Sequence, residues 1–150
     1  VVVGAQADDI ARAVSDLPVE CVVNTQWRAG LAGSVRVAAE ALATHAGATL
    51  LLTCDQPALE VAHLLAVLEA SRRASSGSAA TRLGDCVGIP AVVAATMLRA
   101  ALAVQGDRGL RDVLNAEDAD VIACEAPELA HDIDVPDDIA AAIAKGWLDA

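Results

Sequence analysis

Short apolar runs alternate with amphipathic stretches along this chain. The clearest apolar run covers residues 48–53, and helically spaced apolar positions follow it from about residue 58. A run of this length predicts a buried strand, whereas apolar positions every three or four residues predict a helix with one face on a core. The pattern predicts strands over residues 1–4, 19–24, 48–53, 79–83, 87–93 and 120–124, and helices over 8–16, 34–45, 58–73, 94–104, a short segment ending near 115, and 136–145.

This alternation indicates the fold class. Strands separated by helices are typical of βαβ units, which build a mostly parallel sheet. The chain is 55% hydrophobic but has no Phe or Tyr and only two Trp, so its core is built from small aliphatic side chains. Such side chains suit the close layers of helices on a parallel sheet. We therefore predict an α/β layer fold in one domain over residues 1–150.

Charge and hydropathy exclude several classes of function. The formal net charge is −11, and 12 of the 21 acidic residues lie between positions 107 and 150. Such a surface repels nucleic acid and anionic lipid, so we expect no nucleic-acid partner and no membrane surface. The apolar runs are shorter than the ~20 residues of a membrane span, and the four cysteines form no Cys-x-x-Cys pair. We expect a cytoplasmic protein with reduced, buried cysteines.

A single aspartate follows the run at 48–53, in Cys54-Asp55-Gln56-Pro57. Ligands in open α/β sheets lie outside the carboxyl ends of strands, so Asp55 is placed to hold Mg²⁺. The alternative is that Asp55 caps the following helix. A metal site needs a second donor, and Asp132 and Asp134 lie on the same side of an extended segment.

Two glycine-bearing turns offer contacts for an anion. Gly30-Leu31-Ala32-Gly33-Ser34 opens a helix, so its amides and the Ser34 hydroxyl can face a phosphate, ribose or base. The alternative is an ordinary turn with Ser34 as the helix cap. Gly106-Asp107-Arg108-Gly109 places one guanidinium between two glycines, and its alternative is a surface Asp107–Arg108 ion pair.

In their order along the chain, these segments resemble the molybdenum-cofactor cytidylyltransferase branch of the MobA-like NTP transferases. The matching stretches cover nearly the whole chain: Val22-Val23-Asn24-Thr25-Gln26-Trp27 with Gly30-Leu31-Ala32-Gly33-Ser34-Val35, then Cys54-Asp55-Gln56-Pro57, Gly88-Ile89-Pro90-Ala91, Gly106-Asp107-Arg108-Gly109 and Asp132-Ile133-Asp134-Val135-Pro136.

The resemblance implies a three-layer Rossmann-like nucleotide-diphospho-sugar transferase fold and transfer of CMP from CTP to molybdopterin, with release of pyrophosphate. Its substrates would be CTP, or GTP, and molybdopterin, and a second copy or a molybdoenzyme would be its protein partner. It implies catalytic roles for Asp55 and Arg108, nucleotide contacts from Gly30, Leu31, Gly33, Ser34 and Gln56, acceptor contacts from Gly88, Pro90, Gly106 and Asp107, and Mg²⁺ ligation by Asp55, Asp132 and Asp134.

The sequence departs from the family at its beginning. The family opens with a strand and a glycine-rich loop that carries an arginine and a lysine, and the first residues here match the family's second strand. We therefore expect an N-terminally truncated domain that lacks its first strand, and the activity of this chain alone stays open. The alternatives are a weak or inactive nucleotide-binding or dimerisation module and a sugar-phosphate nucleotidyltransferase.

Overall fold

The computed structural model describes residues 1–100, 102 and 110–149. The chain divides into two compact units. The first unit comprises Val1–Gly47 and Ala95–Ala116, and the second comprises Ala48–Ala94 and Glu117–Ala150.

The described elements follow the alternation expected from the sequence. In chain order they are β1 (Val2–Val3), α1 (Ala7–Ala13), β2 (Val22–Val23), a 3₁₀ turn (Trp27–Ala29), α2 (Leu31–Ala41), β3 (Thr49–Leu51), α3 (Val61–Arg73), β4 (Ala79–Leu83), β5 (Cys86–Val93), α4 (Ala95–Ala100), α5 (Leu110–Leu114), β6 (Ile122–Glu125), a second 3₁₀ turn (Pro127–Ala130) and α6 (Pro136–Ala144).

The first unit is built on a parallel pair of strands. β1 pairs with β2, with Val2 opposite Val22 and Val3 opposite Val23. Helix α2 packs against both strands. Its buried residues are Ala32, Val35 and Ala39, a spacing that puts one apolar stripe of the helix on the core.

The second unit contains a four-stranded sheet in the order β3-β5-β4-β6. Strands β3 and β4 are antiparallel to β5, and β6 is parallel to β4. The sheet is therefore mixed, and β5 is the strand that departs from the parallel arrangement expected from the sequence. The reason is the connection at Gly84-Asp85, which forms a hairpin because a parallel crossover needs a dozen or more residues.

Helix α3 covers one face of this sheet with small side chains. Val67 and Ala70 pack against Ala79 and Val92, and all four are buried. The other face of the same helix is open, because Val61 is 71% exposed. Small aliphatic side chains thus fill this part of the core, and the helix packs closely on the strands, as predicted from the composition.

A polar pair formed by the half-buried His63 and the buried Thr81 lies between α3 and the hairpin. Thr81 is fully buried in β4, and its hydroxyl donates to the carbonyl of Pro90 at 2.8 Å. Since that proton is used, His63 Nε2, at 2.7 Å, donates to the Thr81 oxygen. Burial lowers the pKa of His63, so the ring is neutral near pH 7. The pair fixes the position of the Pro90 carbonyl in β5.

The cysteines differ from the sequence expectation. Cys21, Cys86 and Cys124 are only partly buried, and Cys54 is exposed. Cys54 is exposed because β3 ends at Leu51, two residues before the end of the predicted strand. None of the helices in the described part of the chain has the length and apolar character to cross a bilayer.

An exposed loop clamp fixes the connection after α3. The Asp120 carboxylate accepts hydrogen bonds from the Ser75 amide and the Ser75 hydroxyl, and the Asp120 carbonyl accepts one from the Ser76 hydroxyl. The Ser75 hydroxyl is the main reason that the pKa of Asp120 lies below its usual value of 3.8.

The packing of α3 predicts a large difference between two valines of the same helix. Val67→Ala should lower the free energy of unfolding by about 2 kcal/mol, because it leaves a cavity in the core. Val61→Ala is the matched control and should change it by less than about 0.5 kcal/mol, since this side chain is 71% exposed. Urea unfolding followed by circular dichroism measures both. Equal effects of the two substitutions would contradict the orientation of α3.

The Asp120 clamp predicts a pH-dependent contribution to stability. Because the folded pKa of Asp120 is lowered, its contribution is present above the usual value of 3.8 and disappears as the pH falls through the folded pKa. Asp120→Asn should therefore be less stable than the parent chain at about pH 7, and the two should converge at about pH 2. Thermal melts across this range test it. A difference that does not change with pH would show that the charge of Asp120 has no role.

Candidate functional site

Asp55 lies in the second unit, between the end of β3 at Leu51 and the start of α3 at Val61. The N-cap of α3 is Glu60, so Asp55 does not cap the helix. Among the residues that the structure describes, its Oδ1 atom is buried and has no hydrogen-bond partner. A buried carboxylate oxygen without a donor is costly, which points to a partner supplied from outside the chain.

The late acidic segment is held beside Asp55 by the backbone. The amide of Ile133 donates to the carbonyl of Asp55 at 2.8 Å. Ile133 stands between Asp132 and Asp134, so this bond brings both acidic residues to the end of the β3 run. The pKa of Asp132 is raised, first by burial and then by the negative charges of Asp55 and Asp134. The charges of Asp55 and Asp134 therefore both act on the carboxyl group of Asp132.

Gln56 connects this acidic group to two other segments of the second unit. Its Nε2 donates to the Leu129 carbonyl at 3.0 Å and to the Ile89 carbonyl at 3.4 Å. These two acceptors fix the orientation of the amide, so its Oε1 faces the other way. Within the described part of the chain Oε1 is buried without a partner. Gln56 thus holds the segments around it and leaves one acceptor available.

The side chains present fit a divalent cation. Mg²⁺ binds through one or two carboxylates, with water and substrate phosphate oxygens completing its shell. Asp55 offers an unpartnered buried oxygen, and Asp132 lies close enough for the charge of Asp55 to raise its pKa. No group of three or more candidate ligating side chains occurs in residues 1–100, 102 and 110–149. Asp55 and Asp132 are the pair that these observations support most directly, and Asp134, whose charge also raises the pKa of Asp132, stays a predicted third ligand.

The glycine turn of the first unit opens α2. Gly30 is the N-cap, with a φ of 102° that favours glycine, and the helix begins at Leu31. Ser34 is therefore inside the first turns of α2, and the alternative in which it caps the helix is wrong. Leu31 is 50% exposed, so the turn presents a free surface at the beginning of the helix.

Asn24 supports this turn, and sequence reasoning missed it. It is 3% exposed; its Oδ1 accepts the Gln26 amide at 3.0 Å, and its Nδ2 donates to the Ser34 hydroxyl at 3.1 Å. A Cβ on Gly33 would come within 3.3 Å of the same Nδ2. The only signal in the sequence is an amide residue directly after Val22-Val23, where a buried strand ends.

The remaining predicted site residues fall into two groups. Gly88 and Pro90 lie in β5; a Cβ on Gly88 would come within 2.8 Å of Leu83, and the Pro90 ring is fully buried. These contacts give both residues a packing role, and acceptor binding by them stays a prediction. Gly106, Asp107 and Arg108 lie outside the described residues. The predicted site residues that the second unit brings together are Asp55, Gln56, Asp132 and Asp134.

Comparison with solved structures shows the fold. A nucleotidyl transferase from Methanothermobacter thermautotrophicus is 22% identical, covers 97% of this chain and 71% of its own, and has a TM-score of 0.74. Rv0371c from Mycobacterium tuberculosis H37Rv is 23% identical over 95% of this chain and 74% of its own, with a TM-score of 0.71. Molybdopterin-guanine dinucleotide biosynthesis protein A from Archaeoglobus fulgidus is 19% identical over 97% of this chain and 78% of its own, with a TM-score of 0.64.

Comparison of sequences identifies the family. No curated protein matches the chain. The model of the MobA-like NTP transferase domain matches residues 1–121, which is most of the sequence. Together with the Rossmann-like fold shared with the solved nucleotidyl transferases, this match shows that the chain belongs to the MobA-like NTP transferase family of nucleotidyltransferases.

Proposed function

We propose that this chain is an Mg²⁺-dependent nucleotidyltransferase domain that transfers CMP from CTP to molybdopterin. The observation that carries the proposal is the unpartnered, buried Oδ1 of Asp55 beside the acidic segment that includes Asp132. Support for a molybdopterin acceptor comes from the family match and from the name of the Archaeoglobus fulgidus relative. That name specifies a guanine dinucleotide, so GTP is the competing nucleotide.

The proposed reaction transfers a CMP group from CTP to the terminal phosphate of the pterin. An oxygen of the terminal phosphate of the pterin attacks the α-phosphorus of CTP, the bond from that phosphorus to the bridging oxygen breaks, and pyrophosphate leaves with the bond's electron pair. Such transfer depends mainly on positioning the reactants and neutralising their charge. Bound Mg²⁺ would supply Lewis-acid stabilisation of the phosphate oxygens.

The residues of the second unit would prepare this chemistry by their fixed positions. Asp55 and Asp132 would hold the metal ion, with Asp134 as a further predicted ligand, because the charges of Asp55 and Asp134 both act on the Asp132 carboxyl group. The hydrogen bond from Ile133 to Asp55 keeps the two segments together before any substrate binds. Gln56 orients the Asp55 segment through its bonds to Leu129 and Ile89. Little rearrangement is then needed when the metal ion and the phosphates arrive.

We assign to the glycine turn of the first unit a contact with the nucleotide. An amide nitrogen can only donate, so the Ser34 oxygen accepts the bond from Asn24, and its own proton remains available for a ligand acceptor. The turn at Gly30 also presents the amides at the start of an eleven-residue helix, where phosphate groups are favoured. Arg108 is proposed as a further cationic contact, from the family resemblance alone.

Substitution of Asp55 tests the metal role. Asp55→Asn should reduce Mg²⁺-dependent pyrophosphate release from CTP by about 10²- to 10³-fold, because the carboxylate charge that binds the metal is lost. The assay contains molybdopterin, and a parallel set contains GTP. It is run on this chain and on a version extended upstream by a glycine-rich loop.

Asp85→Asn is the matched control, since Asp85 lies exposed in the hairpin turn of the same unit. It should release pyrophosphate as the parent does. Equal activity of Asp55→Asn and the parent would reject the metal role of Asp55. Analysis of the product separates a pterin dinucleotide from the nucleotide sugar that a sugar-phosphate nucleotidyltransferase would form.

Substitution of Ser34 tests the nucleotide turn. Ser34→Ala should weaken binding of CTP with Mg²⁺ by about tenfold, because it removes both the ligand-facing proton and the acceptor that orients Asn24. Ser15→Ala removes an exposed hydroxyl of the same unit and should leave the affinity unchanged. Titration calorimetry measures both, and melting curves check that each variant is folded. Unchanged CTP affinity in Ser34→Ala would exclude this serine as a nucleotide contact.

A further inference from the structure

A small cavity lies beside the acidic segment of the second unit. Its volume is about 310 Å³, and its lining includes Asp132, Asp134, His131, Lys145 and Trp147. This volume is at the lower end of the range for ligand pockets, so a small group fits better than a whole cofactor. Because Asp132 also belongs to the proposed metal pair, an occupant of the cavity would be close to the bound metal ion.

Lys145 is the only lysine in the chain and it lies in this cavity. Its Nζ stands 4.3 Å from the centroid of the Trp147 ring. The ring itself is held in place by two contacts. It packs against the core cluster that contains Leu129, and it forms an edge-to-face pair with the His131 ring, with 5.4 Å between the ring centroids. A cation held over an aromatic face keeps N–H donors available for other acceptors.

The ammonium is not neutralised by the nearby carboxylates. Asp132, Asp134 and Asp138 all line the cavity, yet no ion pair to Lys145 occurs in the part of the chain that the structure describes. Asp138 is occupied elsewhere, since its Oδ2 accepts the amides of Asp134 and Val135. The cavity therefore combines one available cation with carboxylates that a divalent metal ion can neutralise.

This charge pattern selects the occupant. Three carboxylates outweigh one ammonium, so the cavity repels a free anion. A phosphate that carries Mg²⁺ is not repelled, because the carboxylates can bind its metal ion. The carboxylates attract the metal ion, and the ammonium attracts the oxygens of a metal-bound phosphate.

We propose that this cavity binds a Mg²⁺-associated phosphate group of a substrate or product of the transfer reaction, with Lys145 as its cationic contact. The proposal rests on the proposed function, because it takes the phosphate from that reaction. The shared chemistry has two sources, which are the phosphate monoester of the acceptor and the pyrophosphate released from the nucleotide.

The two tryptophans of the chain allow a direct binding test. Trp27→Leu removes the tryptophan of the first unit and leaves Trp147 as the only fluorophore of its kind. This variant is titrated with phenyl phosphate, which represents the monoester, and with inorganic pyrophosphate, each with and without Mg²⁺. We expect a saturable change of Trp147 emission that requires Mg²⁺, and the probe that binds more tightly identifies the source of the phosphate.

Two substitutions at one position separate charge from packing. In the Trp27→Leu background, Lys145→Gln should weaken binding of the tighter probe by about tenfold or more, whereas Lys145→Arg should retain it within about threefold. Circular dichroism confirms that both variants are folded. The proposal is overturned if neither probe changes the emission in the presence of Mg²⁺, or if Lys145→Gln binds as tightly as its parent.

Failure of this proposal can be distinguished from failure of the proposed function. If Asp55→Asn abolishes pyrophosphate release but Trp147 does not respond to either probe, the transferase function stands and the phosphate cavity is rejected. If Trp147 responds and the response depends on Lys145, but neither the chain nor its extended version releases pyrophosphate from CTP or GTP, the cavity stands as a phosphate site and the transferase function is rejected.

Discussion

The hydrogen bond from the Ile133 amide to the Asp55 carbonyl is the constraint on which the candidate metal site depends. It joins two segments that are far apart in the sequence, and each carries carboxylates. Burial, and after it the negative charges of Asp55 and Asp134, raise the pKa of Asp132, and this arrangement costs free energy in the absence of a cation. A backbone bond can carry this cost because neither its donor nor its acceptor titrates. The fold thus keeps the acidic group assembled whether or not its charge is neutralised.

The surrounding polar groups are arranged to keep that assembly rigid. The Gln56 amide nitrogen donates to two backbone carbonyls, at Ile89 in β5 and at Leu129 before the acidic segment, and the Gln56 side chain also hydrogen-bonds Asp132. The next carbonyl in β5, that of Pro90, is held by Thr81, which is in turn held by His63. These side chains therefore support the backbone around the acidic segment, and a nucleotide contact by Gln56 stays a prediction. In the Asp55-Gln56 segment, the buried side-chain atoms that have no partner among the described residues are two acceptors, Asp55 Oδ1 and Gln56 Oε1, and acceptors are what a cation or a donor-bearing ligand requires.

Sequence alone predicted the alternation of strands and helices, the α/β class and the family, because these depend on local apolar periodicity and on short motifs in a fixed order. It did not predict the direction of β5, because direction depends on the hairpin at Gly84-Asp85 rather than on the composition of the strand. It also missed Asn24, whose role appears only when its amide meets Ser34 across the turn. The caps proposed for Asp55 and Ser34 failed for a similar reason. Helix boundaries shift by a few residues, and a cap is defined by the boundary.

The partner of a charged side chain is equally hard to predict from the sequence, as Lys145 shows. In the sequence it is one cation among the acidic residues of the final helix, where a surface ion pair would be the ordinary expectation. The structure instead sets its ammonium on the Trp147 ring, and the nearby carboxylate of Asp138 accepts backbone amides. An aromatic partner restrains a lysine without cancelling its charge, whereas a carboxylate does both. The proposed function requires a chain with a net charge of −11 to keep its few cations available for phosphates, and pairing with an aromatic ring leaves the Lys145 ammonium available.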